Sequence, residues 1–300
     1  MSSYIHFTEE ERERARNTDL VELLKSQGET LKRSGSEYEW LDGTQKVTIR
    51  GNLWFHQYER VGGDAVGFVR KFYNKEYAEA VQFLLDGKCG TVIRAKPKEI
   101  ERKPFEMPKA YWNMNRVKDY LCNVRGIDED VIQEFVDKKM IFESADYHNA
   151  VFVGFDKNEV PRHANKRGIL KSSTFKGNAE GSLDEFAFHW IGTNNKLFLF
   201  EAPIDMLSYI SMNPQQWQEH SYVACCGTSP IPVMQMLKPD TQIVYLCLDN
   251  DKAGHAASER MTELLRERGV MTERLVPEMK DWNDDLLHGQ KEDLAPCLSL

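Results

Sequence analysis

The 300-residue chain has no Cys-x-x-Cys pair, and its six cysteines (Cys89, Cys122, Cys225, Cys226, Cys247 and Cys297) follow no regular spacing. The simplest zinc and dithiol motifs are therefore missing. Several of these thiols lie in apolar, strand-like runs, as expected of reduced, buried cysteines in a cytoplasmic protein. No apolar run approaches the roughly 20 residues of a membrane span, and Met1-Ser-Ser-Tyr-Ile-His lacks the basic-then-apolar layout of a signal peptide. Base is not in excess: 39 Lys and Arg stand against 47 Asp and Glu, a net charge of −8, which argues against a nonspecific nucleic-acid binder. No Gly-x-Gly-x-x-Gly follows a strand, so a dinucleotide cofactor is unsupported. What is present is a hydrophobic share of 41%, enough for real cores, in a length that favours two or three domains.

The most informative stretch is Ile243-Val-Tyr-Leu-Cys-Leu-Asp249-Asn-Asp251-Lys-Ala-Gly254. Its apolar half reads as a buried parallel strand that ends in two carboxylates one residue apart. A second such strand, residues 196–201, ends in Glu201 and is followed by Ala-Pro-Ile-Asp205. Strand ends of an open α/β sheet are where ligands sit. Two carboxylates about 4 Å apart repel by roughly 4 kcal/mol at an effective dielectric near 20. Glu201, Asp249 and Asp251 converging on one edge would therefore call for a hard divalent cation, Mg²⁺ above all. The plainer reading, in which each acid caps the helix that follows it, stays open.

The C-terminal region alternates strand and helix. Strands are expected at 196–201, 222–226, 242–248 and 272–276, and helices at 204–212, 230–237 and 256–268, which predicts a parallel sheet with right-handed crossovers. Cys226-Gly227-Thr228-Ser229 before a helix is either a phosphate seat or a plain N-cap. At the front of the chain, Thr8 and Glu11 form a capping box for a helix over 7–27. Short strands at 37–41, 46–50 and 53–56, separated by Asp-Gly and Gly-Asn turns, precede helices at 65–73 and 76–85. Trp40, Trp54, Phe55, Phe68 and Phe72 read as core, with Trp54 or His56 as alternative contacts for single-stranded DNA. In the middle, helices over 115–123 and 128–138 lead into a hairpin of strands 150–155 and 160–170. The second strand carries Arg162, His163, Lys166 and Arg167, and His163 reads as a polar surface residue. Two basic stretches stand out: Arg94, Lys96, Lys98, Arg102, Lys103 and Lys109, read as a linker, and Arg162, Lys166, Arg167, Lys171 and Lys176. The second is either a phosphate-binding surface or a solvated strand face.

Glu201-Ala-Pro-Ile-Asp205, Cys226-Gly-Thr-Ser229, Asp249-Asn-Asp251-Lys-Ala-Gly254 and Lys280-Asp281-Trp-Asn-Asp284-Asp285 occur in the order of the Toprim domain. The pattern resembles the DnaG-type primases, whose counterparts read roughly EGYMD, LGTS, DGDRAG and DPD. The resemblance implies an α/β fold with α+β N-terminal and middle parts: a zinc-ribbon-like domain at 1–95, a linker and basic domain at 96–191, and a Rossmann-like Toprim sheet flanked by helices at 192–300. It implies that Glu201, Asp249 and Asp251 are catalytic and, with Asp205 and Asp281, hold Mg²⁺ or Mn²⁺. Arg162, Lys166, Arg167, Lys171, Gly227, Thr228, Ser229 and Lys252 would meet nucleic acid or nucleotide.

Two departures matter. The ribbon's strands are flanked by His56 alone, with Cys89 far off, so no zinc is expected. The sequence also ends after the Toprim segment, without the helical bundle that binds the replicative helicase. Shortened proteins of this kind resemble products of mobile elements. The expected activity is a primase-like nucleotidyl transfer by two-metal chemistry on single-stranded DNA with nucleoside triphosphates, with a helicase or another replication protein as partner. A Toprim nuclease and a non-enzymatic DNA-binding accessory protein are the alternatives. The strip of bases in the middle favours synthesis, whereas Ala202-Pro203 in place of Gly-Tyr favours the accessory role.

Overall fold

The structure, a computed structural model, describes residues 7–42, 45–57, 61–92 and 103–294. The chain forms two compact units, Met1–Glu101 and Arg102–Leu300. Of the first basic stretch, Arg94, Lys96, Lys98 and Arg102 lie outside the described residues, as does Cys297. Among the described residues, no helix is long and apolar enough to cross a membrane.

In the first unit the helix expected over 7–27 is two helices, α1 (Glu9–Arg16) and α2 (Leu20–Ser26). The capping box forms: Glu11 N–H donates to Thr8 Oγ1 at 3.2 Å, and Thr8 N–H to Glu11 Oε2 at 2.8 Å. The break falls at Asn17-Thr18-Asp19, three residues whose side chains compete with the helical backbone. Asp19 then starts α2 by accepting from Val21 N–H at 2.8 Å. An antiparallel sheet follows in the order β1 (Leu31–Ser34), β2 (Glu37–Asp42), β3 (Gln45–Arg50), β4 (Leu53–His56) and β5 (Val61–Gly63). Helices α3 (Ala65–Phe72) and α4 (Tyr77–Asp86) complete the unit.

Side chains alternate along β4. Trp54 (7% exposed) and His56 (1%) point into the core, and Phe55 (41%) points out. Phe55 is thus not the core residue expected of it, and Trp54 and His56 are not available to stack on bases. Trp54 donates its ring N–H to Asp64 O at 3.0 Å and meets Phe72 edge-on at 5.2 Å, while His56 stacks on Phe72 at 6.3 Å.

The second unit opens with α5 (Asn115–Asp119), which runs into a π turn over Tyr120–Val124, and α6 (Glu129–Asp137), capped by Asp128. An antiparallel sheet of β6 (Ile141–Glu143), β7 (Ala150–Phe155), β8 (Pro161–Arg167) and β9 (Lys176–Asn178) comes next. Then follow β10 (His189–Trp190), β11 (Lys196–Phe200), α7 (Pro203–Met212), β12 (Ser221–Ala224), α8 (Ile231–Met236), β13 (Ile243–Cys247), α9 (Lys252–Arg266), β14 (Met271–Arg274) and α10 (Trp282–Leu294). The last five strands form one sheet, β10-β12-β11-β13-β14, parallel except for β10. The two-residue strand β10 and helix α10 carry little periodicity and are visible only in the fold.

The chain leaves β11 toward β12 on one side and returns to β13 on the other. This reversal opens a crevice at the carboxyl ends of β11 and β13. Within the second unit, the residues before and after 192 share one core: Val117, Leu121 and Phe135 pack in the same cluster as Phe200, Leu207 and Trp282.

Candidate functional site

The register of the parallel pair sets the site. Phe200 faces Cys247 across β11 and β13, so Glu201 and Asp249 leave neighbouring strands at the same edge. They line a crevice of about 420 Å³ together with Asp205 and Asp281. Asp205 sits in the first turn of α7, 8% exposed, and Asp281 caps α10 by accepting from Asp284 N–H at 2.9 Å. Asp251 caps α9, its Oδ1 accepting from Gly254 N–H at 2.9 Å. It does not line the crevice, yet it acts on Glu201 as a neighbouring charge. Capping and site-building thus coincide at Asp251. Asp284 is exposed, and Asp285 is engaged by the backbone N–H groups of Glu278 and Met279 at 2.9 and 2.7 Å.

Crowded carboxylates in a half-dry site hold their protons more tightly. Burial, then Glu201, Asp281 and Asp251, push the Asp249 carboxyl up to about 6. Burial and then Asp251 raise Glu201, while Lys176 and Lys280 pull the other way. Burial, followed by Asp281 and Asp249, lifts Asp205 well above the usual carboxylate range.

Asp249 Oδ1 is buried and has no hydrogen-bond partner. A hard divalent cation fits this donor set, because it would supply the missing partner and offset the like-charge repulsion. Among the described residues, no three His, Cys, Asp or Glu side chains are set around a common ion position as they stand.

Cations share the crevice: Arg125, Arg167, Lys176 and Lys280 line it, with Asn165 donating to Asn178 Oδ1 at 2.8 Å beside them. The basic residues of β8 do not act as one group, because a strand alternates its faces. Arg167 shares the crevice face with Asn165. Lys166 lies on the other face, 5.8 Å over the Phe175 ring. Arg162 is paired with Asp156 at 2.8 Å. Lys171, in the turn after β8, and Lys252, at the start of α9, are exposed and do not line the crevice.

His163 is the clearest departure from expectation. It is 1% exposed, and burial pushes its pKa down to about 4, so it is a neutral core residue and not a surface one. It falls on the face of β8 that packs inward, opposite Gly154.

Gly227 lines the crevice at φ +144°, and its N–H donates to Glu201 O at 3.1 Å. Cys226 before it adopts φ +55°, a left-handed geometry that costs a non-glycine residue roughly 1–2 kcal/mol. Thr228 O accepts from Arg260 at 3.3 Å, and Ser229 Oγ accepts from Ile231 N–H at 3.4 Å. The loop is thus tied to the end of β11 and to α9 as well as to the start of α8.

Arg125 is a site residue that sequence reasoning missed, since Val124-Arg-Gly-Ile127 reads only as a turn between helices. Its Nε donates to Tyr120 Oη at 2.8 Å, its guanidinium stacks on that ring at 5.2 Å, and NH1 donates to Asn283 Oδ1 at 3.0 Å. Asn283 in turn donates to Arg125 O at 2.7 Å and Ser208 Oγ at 3.0 Å. Where the resembled pattern has the second Asp of its DPD, this chain has an amide that orients a guanidinium over the crevice.

Residues 198–286 match the family model described as Toprim-like, and residues 119–194 match one described as a protein of unknown function, DUF3991. An uncharacterised Bacillus anthracis protein is 25% identical over 93% of this chain and 89% of its own length. Among solved structures, the primase fragment of the bacteriophage T7 primase-helicase protein is similar over 82% of this chain and 90% of that one, at 15% identity and a TM-score of 0.44. The Aquifex aeolicus primase, with its zinc binding and RNA polymerase domains, covers 97% and 85% at 17% identity and a TM-score of 0.39. The C-terminal sheet with its carboxylate edge is thus a Toprim-like domain.

Proposed function

We propose that this Toprim-domain protein is a divalent-metal-dependent, primase-like nucleotidyltransferase that acts on single-stranded DNA. The observation that carries the reading is that one crevice gathers both signs of charge: Glu201, Asp205, Asp249 and Asp281 together with Arg125, Arg167, Lys176 and Lys280. Nucleotidyl transfer needs both signs, since the triphosphate and the growing chain are polyanions and the reacting oxygens develop further charge.

In this reading Glu201, Asp249 and Asp251 hold Mg²⁺ or Mn²⁺, with Asp205 and Asp281 completing the acidic set. The bound ion would polarise the phosphoryl oxygens and stabilise the attacking and leaving oxygens. Arg167 and Lys176 bind phosphate oxygens of template or nucleotide, and Arg125, fixed by Tyr120 and Asn283, orients the triphosphate. Asp205 is the most buried of these carboxyls, and burial followed by Asp281 and Asp249 holds it well above the usual carboxylate range.

Gel analysis of the protein with single-stranded DNA, labelled nucleoside triphosphates and Mg²⁺ or Mn²⁺ tests the proposal. Divalent-ion-dependent extension products support it. Cleavage of the DNA would assign the same carboxylates to a nuclease, and binding alone would assign the chain to an accessory role.

A further inference from the structure

One side chain spans the turn that carries Asp249 and Asp251. Arg274, at the end of β14, donates from NH2 to Asp249 O at 3.2 Å and from NH1 to Gly254 O at 3.0 Å. NH1 also bonds Ser258 Oγ, which itself donates to Gly254 O at 2.8 Å. The guanidinium therefore spans the first and last residues of the loop Asp249-Asn-Asp-Lys-Ala-Gly254. The loop is closed tightly: a Cβ on Gly254 would run into the carbonyl oxygen of Asp249. Asn250 N–H adds a third tether, donating to Lys280 O at 2.8 Å next to Asp281.

The geometry points to Arg274 as a positioning residue for the divalent-cation site, one that without touching the ion fixes the backbone of Asp249 and, through Gly254, whose N–H bonds Asp251 Oδ1, the Asp251 carboxylate. This inference rests on the proposed metal-binding role of those two residues. A rigid planar fork suits the task, because two donors from one guanidinium set the distance between two carbonyls, whereas a lysine ammonium is a point donor on a flexible stem. Residues that orient ligands in this way commonly change metal affinity by about 10–100-fold when replaced.

The test is Mn²⁺ binding to the full chain, followed by electron paramagnetic resonance of free and bound ion. Wild type, Arg274→Lys, Arg274→Ala and Ser258→Ala are compared, with thermal unfolding measured in parallel. The expected result is a loss of about tenfold or more in Mn²⁺ affinity for Arg274→Ala and an intermediate loss for Arg274→Lys. Ser258→Ala, which leaves both carbonyl contacts intact, should stay within about twofold of wild type. Arg274→Ala binding Mn²⁺ as wild type does would overturn the positioning role and leave the metal site standing. If Arg274→Ala does not fold, equal affinity in folded Arg274→Lys and wild type overturns it. Wild-type protein that binds no Mn²⁺ would overturn both the inference and the metal-binding reading beneath it.

Discussion

Phe200 and Cys247 face each other in the parallel pair of β11 and β13, and this register brings Glu201 and Asp249 to one edge of the sheet. Asp205 joins them from α7, one turn after Glu201, and Asp281 from the residue that precedes α10.

The first consequence is a stability cost at Asp249. Its carboxyl is pushed up to about 6 in the fold, against an ordinary value of 3.8. Between these values the folded state binds more protons than the unfolded one, so this contribution falls as pH rises through about 6. In metal-free buffer, Asp249→Asn should unfold at a higher temperature than wild type above pH 6, with the difference vanishing toward pH 4. Mg²⁺ should raise the wild-type midpoint and leave that of Asp249→Asn nearly unmoved. Scanning calorimetry across pH, with and without Mg²⁺, measures both.

His163 has the opposite sign. Its folded pKa of about 4 lies below the ordinary 6.5, so the unfolded chain takes up the proton first. Stability is complete above about pH 6.5 and falls as pH drops toward 4, by up to roughly 1.4 kcal/mol per unit. His163→Gln should flatten this part of the curve in urea titrations at pH 7, 6 and 5, although its absolute stability will be lower.

Charges on the crevice wall should matter more than charges elsewhere on the same strand. Arg167→Ala and Lys176→Ala should each weaken single-stranded DNA binding and reduce the slope of log K against log salt by roughly 0.7. Arg162→Ala should change the slope less, because Arg162 is already paired with Asp156. Fluorescence anisotropy over a salt series checks the ranking.

The parts of the fold that could be read from sequence were those with strong local rules. The Thr8–Glu11 capping box, the apolar strand before Asp249 and the alternation of strand and helix after residue 192 each have a short-range cause. The parts that could not be read depend on contacts far apart in the chain. Arg125 gains its role only when Asn283, 158 positions away, folds against it. Arg274 matters only because β14 lies beside β13. The strip Arg162-His-Ala-Asn-Lys-Arg167 was legible as basic, but its division between two faces and the burial of His163 needed the register of β7 with β8.

The carboxylate edge is proposed to catalyse divalent-ion-dependent nucleotidyl transfer. Its most direct test is template-dependent incorporation of labelled nucleotide by wild type and Asp249→Ala, on one single-stranded DNA, with Mg²⁺ or Mn²⁺ and with EDTA. Removal of a metal ligand forfeits several kcal/mol of barrier lowering. Products are therefore expected with wild type and divalent ion, none with EDTA, and none with Asp249→Ala although it still binds the DNA. Incorporation by Asp249→Ala at the wild-type rate would contradict the proposal.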